Sequence, residues 1–324
     1  MTVSPNNVYG ALPSLDGTQP SNGDYAALGS RQTKVAYAWG MDWVVNPSFF
    51  LNAFAGYYSK TYKDAGIPEA DYVRYVTSNY GMAGVPTEFQ GPANFATVAG
   101  STSKTFNNDD SRLSVGVTGT FAFTGGGRHL LKFGYQFAQP TTYLNFGYTG
   151  ERVDMHWNSS FFGQRGTYGY WRAFDIWTNA KVTGTNSSLF VQDAWTFNRV
   201  TLNVGIRTEQ EDLPPATDIP GDTRKITFGF GDKIAPRVGV AWDVLGDSRW
   251  KIYVNAGRFY DMMKQQASIN GFGSGEFTIK YYTLDTYDYN VLKRANPLGR
   301  LIYTMDLRGS GDQIDPDLKP MNTV

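Results

Sequence analysis

The residues of this chain that could do chemistry are concentrated in one aromatic stretch, RVDMHWNSSFFGQRGTYGYWRAFDIW, at residues 152–177. Flat rings held close together can stack against a sugar, a peptide or an aromatic ligand. The same rings could instead pack the loop against itself or continue the strands that lead into it. A catalytic histidine is not predicted, because no series of nucleophile, base and acid accompanies it. The candidate ligand-binding residues are His156, Trp157, Phe161, Phe162, Tyr168, Tyr170 and Trp171.

A second polar group, FNNDDS at residues 106–111, supplies clustered oxygen atoms of the kind that bind calcium. It lacks the spacing of an EF-hand loop. Asn and Asp are also favoured where a turn enters a strand, because their side chains hydrogen-bond locally, and we favour this interpretation. The chain has no cysteine, which excludes disulfides, zinc-thiolate sites and thiol catalysis. The sequence therefore predicts no metal site, no cofactor and no enzymatic activity.

The composition favours a β-protein that does not bind nucleic acid. Among 324 residues, 29 basic side chains balance 29 acidic ones, so the basic surface of a nucleic-acid binder is lacking. Aromatic residues make up 15% of the chain and there are 36 glycines, a combination typical of many strands joined by tight turns. No apolar run approaches the roughly 18 residues of a membrane-spanning helix.

Eight stretches alternate between apolar and polar or small residues, which is the period of a half-buried strand. One example is APRVGVAWDVLGDSRWKIYVNAGRFYD, residues 235–261, where every second residue is apolar on both sides of a tight break. The alternating stretches lie at residues 35–43, 51–57, 113–123, 131–137, 189–195, 202–206, 238–242 and 250–256. They predict an all-β, antiparallel, up-and-down meander.

The connections between these strands are short and long in strict alternation. Short ones lie at residues 46–47, 125–127, 197–198 and 245–248, and long ones at about 63–109, 149–185, 211–231 and from 262 onward. This alternation is typical of transmembrane β-barrels, with short periplasmic turns and long extracellular loops. A soluble β-protein with a dry core would show the same alternation within each strand. In a barrel, the side chains facing the lumen would be Lys132, Arg207, Glu209, Arg237 and Asp243. They would either contact a plug domain or only keep the inner face of the barrel hydrated.

An ordered series of short motifs resembles the TonB-dependent outer-membrane transporters, most closely the group with a carboxypeptidase-regulatory-like N-terminal domain. The motifs are HLLKFGYQF (129–137), LFVQDAW (189–195), VTLNVGIRTE (200–209), APRVGVAWD (235–243), VNAGRFYD (254–261) and IDPDLKP (314–320). The resemblance covers roughly residues 31 to 320. It implies a barrel of about 22 strands, an internal plug domain, energy supplied by a TonB complex, and uptake of a siderophore, glycan, peptide or other large nutrient.

The chain is expected to be an internal piece of such a barrel, because it carries no secretion signal, plug or TonB box. We expect residues 1–30 to be irregular, 31–262 to form about eight barrel strands, and 263–324 to form a long extracellular loop and the start of the next strands. Expected partners are outer-membrane lipid, the plug and TonB complex of the full-length protein, and a nutrient ligand. The expected location is the outer membrane of a Gram-negative bacterium. The alternatives are a passive porin-like or adhesive barrel and a soluble carbohydrate-binding β-protein.

Overall fold

A computed structural model of the chain describes residues 2–9, 29–98, 102–216, 224–269, 276–306, 314–315 and 317–323. Nearly all the regular structure in these residues is β-strand. In chain order the strands are β1 (Thr2–Tyr9), β2 (Gly29–Asn46), β3 (Phe49–Ala65), β4 (Tyr72–Tyr75), β5 (Ser103–Thr124), β6 (Arg128–Tyr148), β7 (Arg152–Trp157), β8 (Gly169–Thr183), β9 (Thr185–Phe197), β10 (Val200–Leu213), β11 (Ile226–Asp243), β12 (Lys251–Gly257), β13 (Phe259–Tyr260), β14 (Glu276–Leu284), β15 (Leu301–Asp306) and β16 (Asn322–Thr323).

Helical structure in the described residues is limited to single turns. There is one turn of α-helix, α1 (Gln265–Ala267), which residues 268–269 continue with π-helical geometry, and there are two 3-10 turns, at Thr87–Phe89 and Tyr289–Val291. No helix in the described part of the chain is both long enough and apolar enough to cross a membrane.

The long strands form one antiparallel meander in the order β1-β2-β3-β5-β6-β9-β10-β11-β12. All eight strands predicted from alternation are present, as β2, β3, β5, β6 and β9 to β12. The predicted fold class is therefore confirmed. Cross-strand pairs such as Val204 with Val238 and Val240 with Val254 align apolar side chains across neighbouring strands, which fixes the register.

The two faces of this sheet differ in chemistry. The apolar face carries large side chains that remain exposed, among them Tyr37, Trp39, Met41, Trp43, Phe133, Tyr135, Leu189, Val191, Val238, Val240 and Trp242. In a soluble sandwich these residues would be covered by a second sheet, and no described element covers them. An exposed apolar band with aromatic residues is typical of the lipid-facing surface of a β-barrel. The opposite, polar face carries side chains such as Gln136, Gln192, Asn203 and Asn255.

The tight connections join β2 to β3, β5 to β6, β9 to β10 and β11 to β12, and all lie at the same end of the meander. Their backbones include residues with positive φ, namely Gly126 at 66°, Asn198 at 50° and Ser248 at 64°. In the turn after β11, the carboxylate of Asp243 accepts hydrogen bonds from the backbone N–H groups of Gly246 at 2.9 Å and Ser248 at 3.0 Å. A short polar side chain before the turn thus orders it.

Several segments expected to lack regular structure contain strands. Residues 1–30 include β1, which pairs with β2. The aromatic stretch at 152–177 holds β7 and part of β8, which agrees with the alternative that it continues the strands. Residues 107–110, expected at a strand-entry turn, lie inside β5, where Asp110 is 3.5 Å from the ammonium of Lys60. In 263–324, the strands β14 to β16 are described, and residues 270–275 and 307–313 lie outside the described residues. The division into three parts stays a prediction.

Candidate functional site

The strands at the long-connection end form a branch of the main sheet, in the order β4, β7, β8, β14 and β15, which we call the loop sheet. Paired residues on neighbouring strands share a face of a sheet. One row across the five strands runs Arg74, Asp154, Arg172, Tyr281 and Tyr303. We call this side the arginine face; its other members include Arg152, His156 and Tyr170, which are two residues away from the row along their strands.

The opposite face of the loop sheet is a hydrophobic core. Trp157 and Trp171 are 1% and 0% exposed there, packed with Tyr75, Val153, Met155 and Leu284. Tyr168 packs against the edge of the same cluster. The sequence left two possibilities open for these three aromatic residues, a ligand-stacking surface and packing within the stretch. The burial of Trp157 and Trp171 favours packing, Tyr168 is half-buried, and ligand binding by these residues stays a prediction. Strand alternation turns the side chains of Trp157 and Trp171 into this core.

The other four predicted aromatic residues lie together on the arginine face. The ring of His156 stacks on Tyr170 with centroids 4.2 Å apart, and Phe161 stacks on Tyr281 at 4.0 Å. Phe162 contacts Phe161 at 4.5 Å and is 74% exposed, although its backbone has a φ of 48°, which is rare for a bulky residue. These four rings form one contiguous group in which Phe162 is exposed, His156 and Phe161 are half-buried and Tyr170 is buried.

Three arginine side chains converge on one buried carboxylate at the centre of the arginine face. Asp154 is 0% exposed, and its Oδ2 accepts hydrogen bonds from the Nη2 atoms of Arg74 and Arg172, each at 2.7 Å. Its Oδ1 lies 3.1 Å from Nη2 of Arg152. Three positive charges thus surround one negative charge. The Nε atoms of Arg74 and Arg172 are buried and have no hydrogen-bond partner among the described residues.

Aromatic rings support the guanidinium groups from the sides. The guanidinium of Arg152 lies 4.1 Å from the ring centroid of Tyr72 and 5.5 Å from that of Phe174. Arg172 lies 5.1 Å from the same Phe174 ring. Such cation–π contacts are favourable and fix the planes of the guanidinium groups, which leaves them preorganised.

The arginine face lies on the same side as the polar face of the main sheet. Strand β8 pairs with β14 at one end and with β6 at the other, with no register shift in either ladder. Because side chains alternate strictly, Arg172 shares a side with Ala180 and Val182. Ala180 is paired with Leu144, which lies on the polar side of β6, opposite Phe133 and Tyr135.

The predicted lumen-facing residues lie at several places on the polar face. The side chain of Arg207 donates to Glu209 at 2.7 Å and to Gln136 at 3.0 Å. Arg237 lies with its guanidinium 4.6 Å from the ring of Phe259, and it lines a groove of about 590 Å³ together with Arg207. Lys132 is half-buried in β6, where it is paired with Gln192 of the same groove, and Asp243 orders a tight turn as described above.

A buried ion pair on the polar face was not predicted. Lys233 is 0% exposed, and its ammonium donates to the carboxylate of Glu211 and to the carbonyl of Asp261 at 3.1 Å. The other Glu211 oxygen accepts from the backbone N–H of Met263 at 2.6 Å. Further along, Gln265 donates to the carbonyl of Pro140 at 2.6 Å. The chain after β12 is thereby held against the polar face by hydrogen bonds to buried groups.

Acidification is expected to destabilise the loop sheet through His156. Burial and the charge of Arg172 lower the pKa of His156 to about 4, against the opposing effect of Asp154. The pKa of His156 in the folded protein is below its unfolded value of about 6.5. The contribution of neutral His156 to the free energy of unfolding is therefore fully present above pH 6.5 and is lost as the pH falls toward 4. We expect the thermal midpoint of the protein in detergent to fall between pH values of about 7 and 5, and His156→Phe, which keeps the ring, to reduce the fall. Identical pH profiles for the two proteins would contradict this assignment.

Comparisons with known proteins show which family the chain resembles in sequence and which proteins it is similar to. The sequence model of the family described as TonB dependent receptor-like, beta-barrel matches residues 2–323. The TonB-dependent transporter Oar of Myxococcus xanthus is 34% identical over 85 residues, which are 26% of this chain and 7% of Oar. The outer membrane transporter YddB of Escherichia coli aligns with a TM-score of 0.47 and 12% identity, covering 80% of this chain and 33% of YddB. The chain thus spans only a minor part of the length of Oar and of YddB.

Proposed function

The chain belongs to the TonB-dependent receptor-like β-barrel family, and from this we propose that it forms part of the barrel wall of an outer-membrane transporter in a Gram-negative bacterium. The observation that carries the proposal is the meander with an exposed apolar face, a polar face and tight turns at one end. The apolar face contacts lipid, and the turns lie in the periplasm. The loop sheet lies outside the cell, where a large nutrient of the siderophore, glycan or peptide class arrives.

The polar face is the wall of the lumen in this proposal. That wall is hydrated through the polar side chains of Lys132, Arg207, Glu209 and Arg237. The groove beside Arg207 and Arg237 faces the plug domain of the assembled transporter. The TonB complex acts through the plug, so none of the described residues is assigned to TonB contact. The residues of the chain have no catalytic role, since the family is one of receptors and transporters.

The orientation of the sheet can be tested by cysteine labelling, because the chain has no cysteine of its own. Tyr80 is exposed beside the loop sheet and Arg249 is exposed in the tight turn before β12. A polymer-linked maleimide too large for outer-membrane pores is expected to label Tyr80→Cys on intact cells and to leave Arg249→Cys unlabelled. Permeabilising the outer membrane should make both positions reactive.

Two results would contradict the proposal. Labelling of Arg249→Cys but not Tyr80→Cys on intact cells would reverse the orientation. Labelling of both positions only after the inner membrane is also opened would place the protein in the cytosol and favour the soluble β-protein.

A further inference from the structure

We propose that the arginine face binds the oxyanion of a ligand, a carboxylate or a phosphate, carried next to a flat apolar group. Arg74 and Arg172 bind the oxyanion, and Phe162 with its neighbouring rings contacts the flat group. This ligand class is proposed for the receptor described above. It rests on the proposed function in one respect, namely that the ligand reaches the arginine face from outside the cell.

The arginine face carries more positive than negative charge. One carboxylate, that of Asp154, is shared by the guanidinium groups of Arg74, Arg152 and Arg172. Among the described contacts of these three arginines there is no second acid. A buried or half-buried group of charges is ordinarily balanced by opposite charges. The excess of two positive charges is therefore best matched by an anion from outside the chain.

The guanidinium groups of Arg74 and Arg172 have hydrogen-bond donors that Asp154 does not use. A guanidinium presents five N–H groups in a rigid plane and can bind carboxylate or phosphate through two parallel hydrogen bonds. Arg74 and Arg172 each direct only Nη2 to Asp154, and their Nε atoms have no partner among the described residues. The Nε atoms are buried, but the side chains as a whole are 31% and 21% exposed, so a ligand can approach the guanidinium groups at their exposed Nη side.

Aromatic rings lie beside the arginines. Phe162 lies with its ring 5.6 Å from Tyr303, and Phe161 connects it to Tyr170 at 5.6 Å. Tyr170 stacks on His156, which in turn lies beside Arg172. Phe162 and Gly163 are the two central residues of a tight hairpin turn between Phe161 and Gln164, and this turn holds the ring of Phe162 out in the solvent. The buried ring of Tyr170 thus links the exposed ring of Phe162 to His156 and Arg172, and this arrangement suits a ligand with a flat group near its anion.

The test measures binding of simple probes to the purified protein in detergent at fixed low salt, by ligand-observed NMR. Benzoate and phenyl phosphate carry a ring and an anion, benzamide carries the ring alone, and inorganic phosphate carries the anion alone. We expect benzoate, phenyl phosphate or both to bind at least about tenfold more tightly than benzamide and inorganic phosphate, because charge-assisted hydrogen bonds and stacking act together. The stronger of the two shows whether the site prefers carboxylate or phosphate.

Variants then assign the binding to this face. Arg74→Gln is expected to weaken binding of the preferred anionic probe about tenfold or more, while Asp154 keeps two arginine partners. Phe162→Ser removes an exposed ring and no ion pair, so it tests the face without risk to the fold and is expected to weaken binding of the ring-bearing anion. Arg249→Gln in the distant turn is the matched control and should bind as the parent does.

The proposal is overturned if benzamide binds as tightly as both anions, or if Arg74→Gln and Phe162→Ser both bind like Arg249→Gln. Either result would leave the arginine face as a structural ion-pair network only. Binding in detergent does not depend on the orientation of the sheet. External labelling of Tyr80→Cys without anion binding would therefore reject this inference alone, and anion binding with reversed labelling would reject the proposed function alone.

Discussion

The substitution Asp154→Asn is expected to destabilise the loop sheet by about 3–5 kcal/mol, the cost of removing one partner from a buried ion pair. Asp154 is fully buried, and its two oxygens are the acceptors for Arg74, Arg152 and Arg172. The amide that replaces it carries no charge, so three neighbouring guanidinium groups would be left without a counter-charge. Hydrogen exchange of the backbone amides in β4, β7 and β8 should report the loss, while β2 and β3 keep their protection.

The matched control for this variant is Asp175→Asn. Asp175 also pairs with an arginine, Arg294 at 2.6 Å, but both side chains are nearly half exposed. An exposed pair contributes at most about 1 kcal/mol. Equal protection in the two variants would show that Asp154 does not hold the arginines together. If the arginine face binds anions, millimolar benzoate should also restore part of the protection lost in Asp154→Asn, and should not change Asp175→Asn.

The main sheet was predictable from the sequence because its strands are long and one face is uniformly apolar. In the parts of β2, β6 and β11 next to the tight turns, every second residue is large and apolar, and the period-two signal there is therefore strong. The tight turns were equally visible, because Asn, Asp, Ser and Gly appear where the backbone needs positive φ or a side-chain acceptor. The short–long order of the connections then indicated the barrel class.

The arginine face could be predicted only in part. The period-two pattern exists in RVDMHW and GYWRAFD, where Val153, Met155 and Trp171 alternate with charged residues. The aromatic density of the stretch concealed the alternation, so the sequence alone did not show that Trp157 and Trp171 lie on the opposite face from His156 and Tyr170. Arg74 reaches Asp154 from 80 positions away through a parallel pairing of β4 with β7. No local pattern encodes such a pairing, because it depends on how two long connections pack together.

The substitution Lys233→Met is expected to cost about 3–5 kcal/mol for the same physical reason, this time on the polar face of the main sheet. The ammonium of Lys233 is fully buried and is shared by the carboxylate of Glu211 and the carbonyl of Asp261. Methionine fills similar space and leaves Glu211 as a buried charge without its partner. Thermal unfolding in detergent should show the loss, together with faster proteolysis after Arg258, where the chain leaves β12. Lys225→Met is the matched control, because Lys225 lies 3.8 Å from Asp212 in an exposed pair and should change little.

The double variant Lys233→Met, Glu211→Leu separates two roles of the pair. Replacing both charges by apolar groups is often neutral or stabilising, so the barrel wall should recover most of its stability. The backbone N–H of Met263 would still lack the Glu211 oxygen that accepts from it at 2.6 Å. If the thermal stability recovers while cleavage after Arg258 persists, the pair fixes residues 261–263 against the lumen wall. Recovery of both properties would mean that Gln265, through Pro140 and Thr142, holds this segment without the pair.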